Sequence, residues 1–122
     1  MNLRRSPKCA NPKRKFLKPS NPKNMSNSKV IVLAEIPVKP EFLQEVKAIS
    51  AKALIPTLQE EGVEMFYQTV KNDDPNTLVF FEVFKSQQAL DEHLAANYTK
   101  EFFAAVKDKV SGKPVSSILS EL

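Results

Sequence analysis

Two segments of this chain are apolar on both faces of a strand, and that property constrains the fold more than any other. Val30-Ile-Val-Leu-Ala-Glu-Ile36 and Thr77-Leu-Val-Phe-Phe-Glu-Val-Phe84 are rich in β-branched and aromatic residues, interrupted only by Glu35 and Glu82. A strand with one wet face alternates apolar and polar residues, whereas these read as strands covered on both sides. In the first, Val30, Val32, Ala34 and Ile36 oppose Ile31 and Leu33. In the second, Val79, Phe81 and Val83 oppose Leu78, Phe80 and Phe84. Helices can cover one of the two faces. The other would be an apolar patch larger than monomers usually expose, and an identical sheet related by two-fold symmetry is the simple remedy. A homodimer is therefore expected. The space beside such a sheet is apolar and shielded, which suits a small hydrophobic or aromatic ligand, although a dry interface with no ligand space satisfies the same pattern.

The remaining segments fill in an α+β chain. Pro37 and Pro40 end the first strand, and Phe42, Val46, Ile49 and Ala53 recur at the spacing of a helix with one buried face. Pro56 should kink or break that helix, and Gly62 should mark its end. Val63–Val70 reads as a strand with Met65, Tyr67 and Thr69 on one face and Glu64, Phe66 and Gln68 on the other. The turn-rich Lys71–Asn76 joins it to Thr77–Phe84 as a hairpin. Ser86 is a fit N-cap for a helix over Gln87–Ala95. Asn97 or Thr99 would cap another over Tyr98–Val110, with Phe102, Phe103, Val106 and Val110 as its buried stripe. Val115–Leu122 closes the series as a strand. The order β-α-β-β-α(α)-β is the ferredoxin-like arrangement with an antiparallel sheet.

The formal charge of +4 does not belong to this folded part. Residues 1–28 hold eight basic side chains and no acid, so of the 18 basic and 14 acidic residues, ten and fourteen remain in 29–122, a balance of about −4. The leader also carries four prolines and little apolar periodicity, too little to offset an ordering entropy of about 1–2 kcal/mol per residue. Disorder is expected there, with one domain over 29–122. Met25, directly before the first strand, is an alternative natural start. A non-functional tail and a basic arm for nucleic acid or anionic lipid are the competing readings. Nucleic acid enters only through that leader, and Phe16 alone offers no stacking platform. Cys9 is the only cysteine, so a disulfide within the chain is excluded. No apolar run approaches the roughly 18 residues of a membrane span, and no signal-peptide core precedes the first strand. A cytoplasmic protein is expected.

The candidate chemistry is sparse. His93 is the only histidine, the side-chain type whose unperturbed pKa, about 6.5, suits proton transfer near neutrality. It borders the helical face of Leu90 and Leu94 and is the expected catalytic base. A structural histidine bonded to backbone or to Glu82 competes with that role. Glu35 and Glu82 are acids on apolar strands, each either paired at a strand edge or buried with a raised pKa. Tyr67 and Tyr98 offer hydrogen bonds to a ligand oxygen, and Phe66 and Phe84 offer flat apolar walls, against the simpler alternative that all four are core. A lone histidine without an organised set of carboxylates is a poor metal site, and none is expected. Gly62 and Gly112 are the only glycines, so there is no glycine-rich phosphate loop, and nucleotide or flavin binding by that route is not expected; an oxygenase built on this chain should need no cofactor.

Three stretches, Val32-Leu-Ala-Glu-Ile-Pro-Val-Lys-Pro40, Asp74-Pro-Asn-Thr-Leu-Val-Phe-Phe-Glu-Val-Phe-Lys-Ser86 and Ala89-Leu-Asp-Glu-His-Leu94, resemble the antibiotic biosynthesis monooxygenase family. The resemblance spans about residues 29–122. It implies a dimeric α/β barrel with a pocket between sheet and helices in each subunit. His93 stands where members often place a histidine, and Glu82 where they place a glutamate. Phe84 replaces a common Trp, and Tyr98 a common second His. The haem-degrading branch uses Asn, Trp and His where this chain has Ile36, Phe84 and Phe103, so that branch is excluded. The expected activity is cofactor-independent oxidation of a small aromatic or quinol-like substrate by dioxygen. The alternatives are an isomerase or other proton-transfer enzyme on a small carbonyl compound, and a non-catalytic dimeric binding or stress-response module, because one fold hosts many functions.

Overall fold

The strand at Val30 meets two neighbours at once, and that position organises the molecule. In the computed structural model, which describes residues 28–122, the elements are β1 (Val30–Pro37), a 3-10 turn (Pro40–Phe42), α1 (Leu43–Gln59), β2 (Val63–Lys71), β3 (Asp74–Phe84), α2 (Gln87–Ala95), α3 (Asn97–Val106) and β4 (Val115–Leu119). The sheet order is β2-β3-β1-β4 with antiparallel neighbours, the ferredoxin-like α+β topology. The basic leader, its alternative start at Met25 and Cys9 lie outside the described residues.

The doubly apolar strands occupy the two central positions, where β1 pairs with β3 from Val30↔Phe84 to Pro37↔Thr77. Val32 and Ile36 of β1 and Leu78, Phe80, Glu82 and Phe84 of β3 form the side covered by helices, all of them buried. Helix α1 contributes Val46, at 0% exposure, to a core with Ile36, Val38, Leu78, Phe80, Phe102 and Val106. A second cluster joins Val32 and Phe84 to Ala89 and Leu90 of α2. The other side of the sheet carries Leu33 beside Phe81 and Phe81 beside Tyr67 in register, and none of the described helices covers it. Tyr67 is 59% exposed and Met65 41% on that face.

Several expected boundaries shift. Helix α1 runs through Pro56 to Gln59 instead of breaking there. Pro56 lacks one amide hydrogen, but the next residue, Thr57, is 2% exposed and its hydroxyl donates to the Ala53 carbonyl at 2.8 Å, tying the turn to the core. The hairpin turn is tighter than Lys71–Asn76, because Lys71 pairs directly with Asp74. Ser86 caps α2 as its sequence position requires, accepting from the Ala89 amide at 3.1 Å. Helix α3 begins after Ala96, with no side-chain cap from Asn97 or Thr99, and ends at Val106. Val110 lies beyond it in an isolated bridge to Val38. Phe103 is 53% exposed, since adjacent helical residues cannot both face the sheet and Phe102 takes that direction. Leu94 is likewise 46% exposed, and β4 stops at Leu119.

Gly62 is fixed by a close approach between α2 and the start of β2. A side-chain carbon there would lie 2.4 Å from the Ala89 Cβ. The glycine also lets its carbonyl accept from the Lys85 amide at 2.8 Å, which ties the start of β2 to the end of β3.

Candidate active site

Between the covered side of the sheet and the helices lies a cavity of about 180 Å³. Its walls are mostly apolar, with Val32 and Ile36 from β1, Phe66 from β2, Phe80 from β3, Leu90 from α2 and Phe102 from α3. Its polar groups include Glu82, His93 and Thr99, with Pro114 to Ser116 and Ile118 of the C-terminal strand region at one side. The volume exceeds the ~150 Å³ of an engineered protein cavity that holds benzene, so a single substituted ring fits.

His93 reaches this wall from the last turn of α2, where the helix dipole favours positive charge. Its ring is buried between Phe66 and Phe84, with centroids 5.6 and 5.3 Å away. Nδ1 lies 2.8 Å from Oε2 of Glu60. An ionised carboxylate only accepts, so Nδ1 carries the hydrogen and Nε2 is the nitrogen left with a lone pair. The same Glu60 oxygen accepts the phenol hydrogen of Tyr98 at 2.5 Å. Burial first, and then the hydrogen bond and charge of Glu60, push the Tyr98 phenol up to about 12, so it stays a donor. Glu60 thus orients the imidazole, and Tyr98 orients Glu60.

Glu82 sits in the middle of β3, paired in register with Val32 on one side and Phe66 on the other. It is 8% exposed, and no hydrogen bond or ion pair joins it to any described residue. Desolvation alone raises its carboxyl from 4.5 to about 7. Glu35, the other strand acid, takes the paired alternative, with Lys71 3.7 Å away.

Of the six site residues expected from sequence, three line the cavity: His93, Glu82 and Phe66. Tyr98 lies behind the wall as the partner of Glu60. Phe84 is at 0% exposure and serves as a support for the histidine ring. Tyr67 points to the opposite face, as the strand alternation of Phe66 and Tyr67 demands. Glu60 was not expected. A clue existed in its position, since an acid at the end of a helix opposes the dipole and calls for a compensating partner. Thr99 was expected as a cap and instead turns its hydroxyl into the protein, at 5% exposure.

A small ferredoxin-like α+β unit with a carboxylate-oriented histidine on the wall of an apolar cavity is the class of protein that these features define. The profile of the antibiotic biosynthesis monooxygenase family matches residues 29–105, and the chain belongs to that family. A conserved protein from Methanosarcina mazei Go1 has the same architecture, with 25% identity, coverage of 82% of this chain and 99% of that one, and a TM-score of 0.75. Rv0793 of Mycobacterium tuberculosis, provisionally named a monooxygenase, is 27% identical over 95 residues, 78% of this chain and 93% of that protein. Its structure superposes with a TM-score of 0.74, at 26% identity over 78% of this chain and 96% of that one. The Synechocystis protein sll1783 is 32% identical over 73 residues, 60% of this chain, and the match spans only half of that protein's length. No helix among the described residues is long and apolar enough to cross a membrane.

Proposed function

We propose that this chain acts as a homodimer that oxidises a small aromatic, quinol-like compound with dioxygen and needs no bound cofactor, with His93 as the base. The observation that carries the reading is the His93–Glu60 pair, 2.8 Å apart, on the wall of an apolar cavity sized for one ring. With Nδ1 held by Glu60, Nε2 takes the phenolic proton and the resulting anion gives an electron to dioxygen. One oxygen atom enters the ring and the other leaves as water as the phenol becomes a quinone. The protein contributes orientation, water exclusion and a charged partner for the imidazolium. The family membership supports oxidation as the reaction type. The uncovered sheet face supports the homodimer.

Oxygen uptake with a panel of single-ring quinols and phenols tests this reading. Saturable uptake that falls about 10²–10⁴-fold in His93→Ala is the expected outcome, the usual contribution of a general base. Turnover of a small carbonyl compound without oxygen uptake would move the assignment to proton transfer. Ligand-dependent thermal stabilisation without any turnover would leave a binding module.

A further inference from the structure

Leu94 of α2, Phe103 of α3 and Ile118 of β4 all line the cavity, yet they are 46%, 53% and 63% exposed. Side chains that face both the cavity and the solvent stand at its mouth, so three elements meet there in an apolar rim. Ile118 lies on the helix-covered side of the sheet, because its register partner is Val32, which packs with Phe84 and Leu90. The rim is therefore separate from the uncovered face of Tyr67 and Phe81, and a dimer built on that face does not require it. Scattered exposed apolar residues are ordinary, but a cluster around an opening marks an interaction site.

The charge of the chain says what docks there. Residues 1–28 carry eight basic side chains and no acid, whereas 29–122 carry ten basic and fourteen acidic ones, about −4. That leader joins the body at Lys29, beside the first residue of β1, and Val30 is two residues from Val32, the register partner of Ile118. At about 3.3 Å per strand residue and about 4.8 Å between strands, the junction lies about 10 Å from the rim. Clustered Lys and Arg beside an exposed apolar patch are the two signals that together hold a protein on an anionic bilayer, one by charge and one by insertion among the headgroups. Nucleic acid would use the charge but has no use for aliphatic Leu94 and Ile118. The acidic body alone is repelled by either.

We propose that the cavity mouth docks on an anionic lipid bilayer, with Leu94, Phe103 and Ile118 set among the headgroups and the basic leader on the lipid phosphates. Docked in this way the cavity opens toward the apolar layer, and its ring ligand enters from lipid instead of water. That entry route rests on the proposed function, whereas the docking does not.

The test is co-sedimentation of the full chain, without substrate and at about 0.15 M salt, where weak surface charge effects are screened. The probes are vesicles of phosphatidylcholine with about one third phosphatidylglycerol, vesicles of phosphatidylcholine alone, and, by titration, heparin and a short DNA duplex. Anionic vesicles should be bound at least about tenfold more tightly than neutral ones. The leader variant Lys13→Gln/Arg14→Gln/Lys15→Gln/Lys18→Gln should lose at least about tenfold for both anionic vesicles and heparin. Phe103→Ser/Ile118→Ser should lose at least about tenfold for the vesicles and nothing for heparin. Both of those positions are exposed, so this variant should fold, and Leu94→Ser repeats the test from another element. Equal binding to neutral vesicles, or rim variants that bind anionic vesicles as the native chain does, overturns the docking. Tighter binding of the DNA duplex than of the anionic vesicles overturns it as well and gives the leader to nucleic acid. Rim substitutions that change the oligomeric state and leave vesicle binding intact would put a second copy there instead. Vesicle binding without oxygen uptake from any quinol would sink the oxidation reading alone, and oxygen uptake by a chain that ignores vesicles would sink the docking alone.

Discussion

His93 and Glu60, 33 residues apart in sequence, meet at 2.8 Å between Nδ1 and Oε2, and the phenol of Tyr98 binds the same oxygen. The imidazole orientation therefore depends on an acid at the end of α1, not on its own helix. Glu60→Ala leaves the His93 donor without an acceptor and Tyr98 with only the Pro56 carbonyl at 3.5 Å, both in a part-buried place. It should lower unfolding stability by about 1–3 kcal/mol, the usual range for a stranded buried donor. Tyr98→Phe keeps the His93–Glu60 bond and should lose only about 1 kcal/mol. Urea titrations of the three proteins check the ranking, and an Ala variant as stable as the native chain would show that the pair is not formed in solution.

Glu82 gives stability a defined pH dependence. Its carboxyl is raised from 4.5 to about 7 by desolvation, so between those values the native state keeps a proton that the unfolded chain has released. Native protein binding more protons means that stability falls as pH rises through this window, and is not regained above it. At about 1.4 kcal/mol per pH unit the full effect is roughly 3 kcal/mol. Glu82→Gln cannot titrate. Relative to the native chain, its stability should therefore climb from pH 4.5 to 7.5, whatever constant offset the amide introduces. Chemical denaturation across that range measures the difference, and parallel curves would mean that Glu82 finds solvent or a partner.

What was legible in the sequence was what local pattern decides. The Ser86 cap, the α2 span and the alternation of Phe66 with Tyr67 follow from spacing alone, and the structure keeps all three. The site was only partly legible, because its key contact is non-local. Glu60 reaches His93 only because α1 continues through Pro56, where a kink or a break was expected, and packing of Val46, Ser50 and Thr57 holds the helix past it. Alternation separates Phe66 from Tyr67 but does not say which face the helices cover, so both were candidates for one pocket. Thr99 reads locally as a cap. Its burial, at 5% exposure, follows from α3 starting at Asn97, after Ala96, a boundary set by tertiary packing.

Gly62 and Ala89 make a second test of packing. Because an added Cβ at residue 62 would stand 2.4 Å from that of Ala89, Gly62→Ala forces α2 away from the start of β2. A loss of about 1–3 kcal/mol is expected from such overpacking. The clash partner is itself a single methyl group, so Ala89→Gly in the same chain should recover part of the loss despite the glycine's helix penalty of about 1 kcal/mol. A double-mutant cycle by thermal unfolding reads the coupling, and strictly additive effects would show that the two carbons never meet.

The uncovered sheet face separates a dimer from a monomer by a single substitution. Tyr67 is 59% exposed and lies beside Phe81 in register, with Leu33 across the next strand pair. If the chain works alone, Tyr67→Glu alters an exposed side chain and should change stability by no more than about 0.5 kcal/mol. If two sheets meet there, the same change puts an unpaired carboxylate in an apolar interface, where a central tyrosine is typically worth about 2 kcal/mol or more. Dimer dissociation should then rise at least about thirtyfold by the usual conversion of free energy to affinity. Sedimentation at micromolar concentration decides between them. A native chain that sediments as a folded monomer, with Tyr67→Glu indistinguishable from it, would remove the homodimer from the proposed function while leaving the His93–Glu60 pair, which lies wholly within one subunit, untouched.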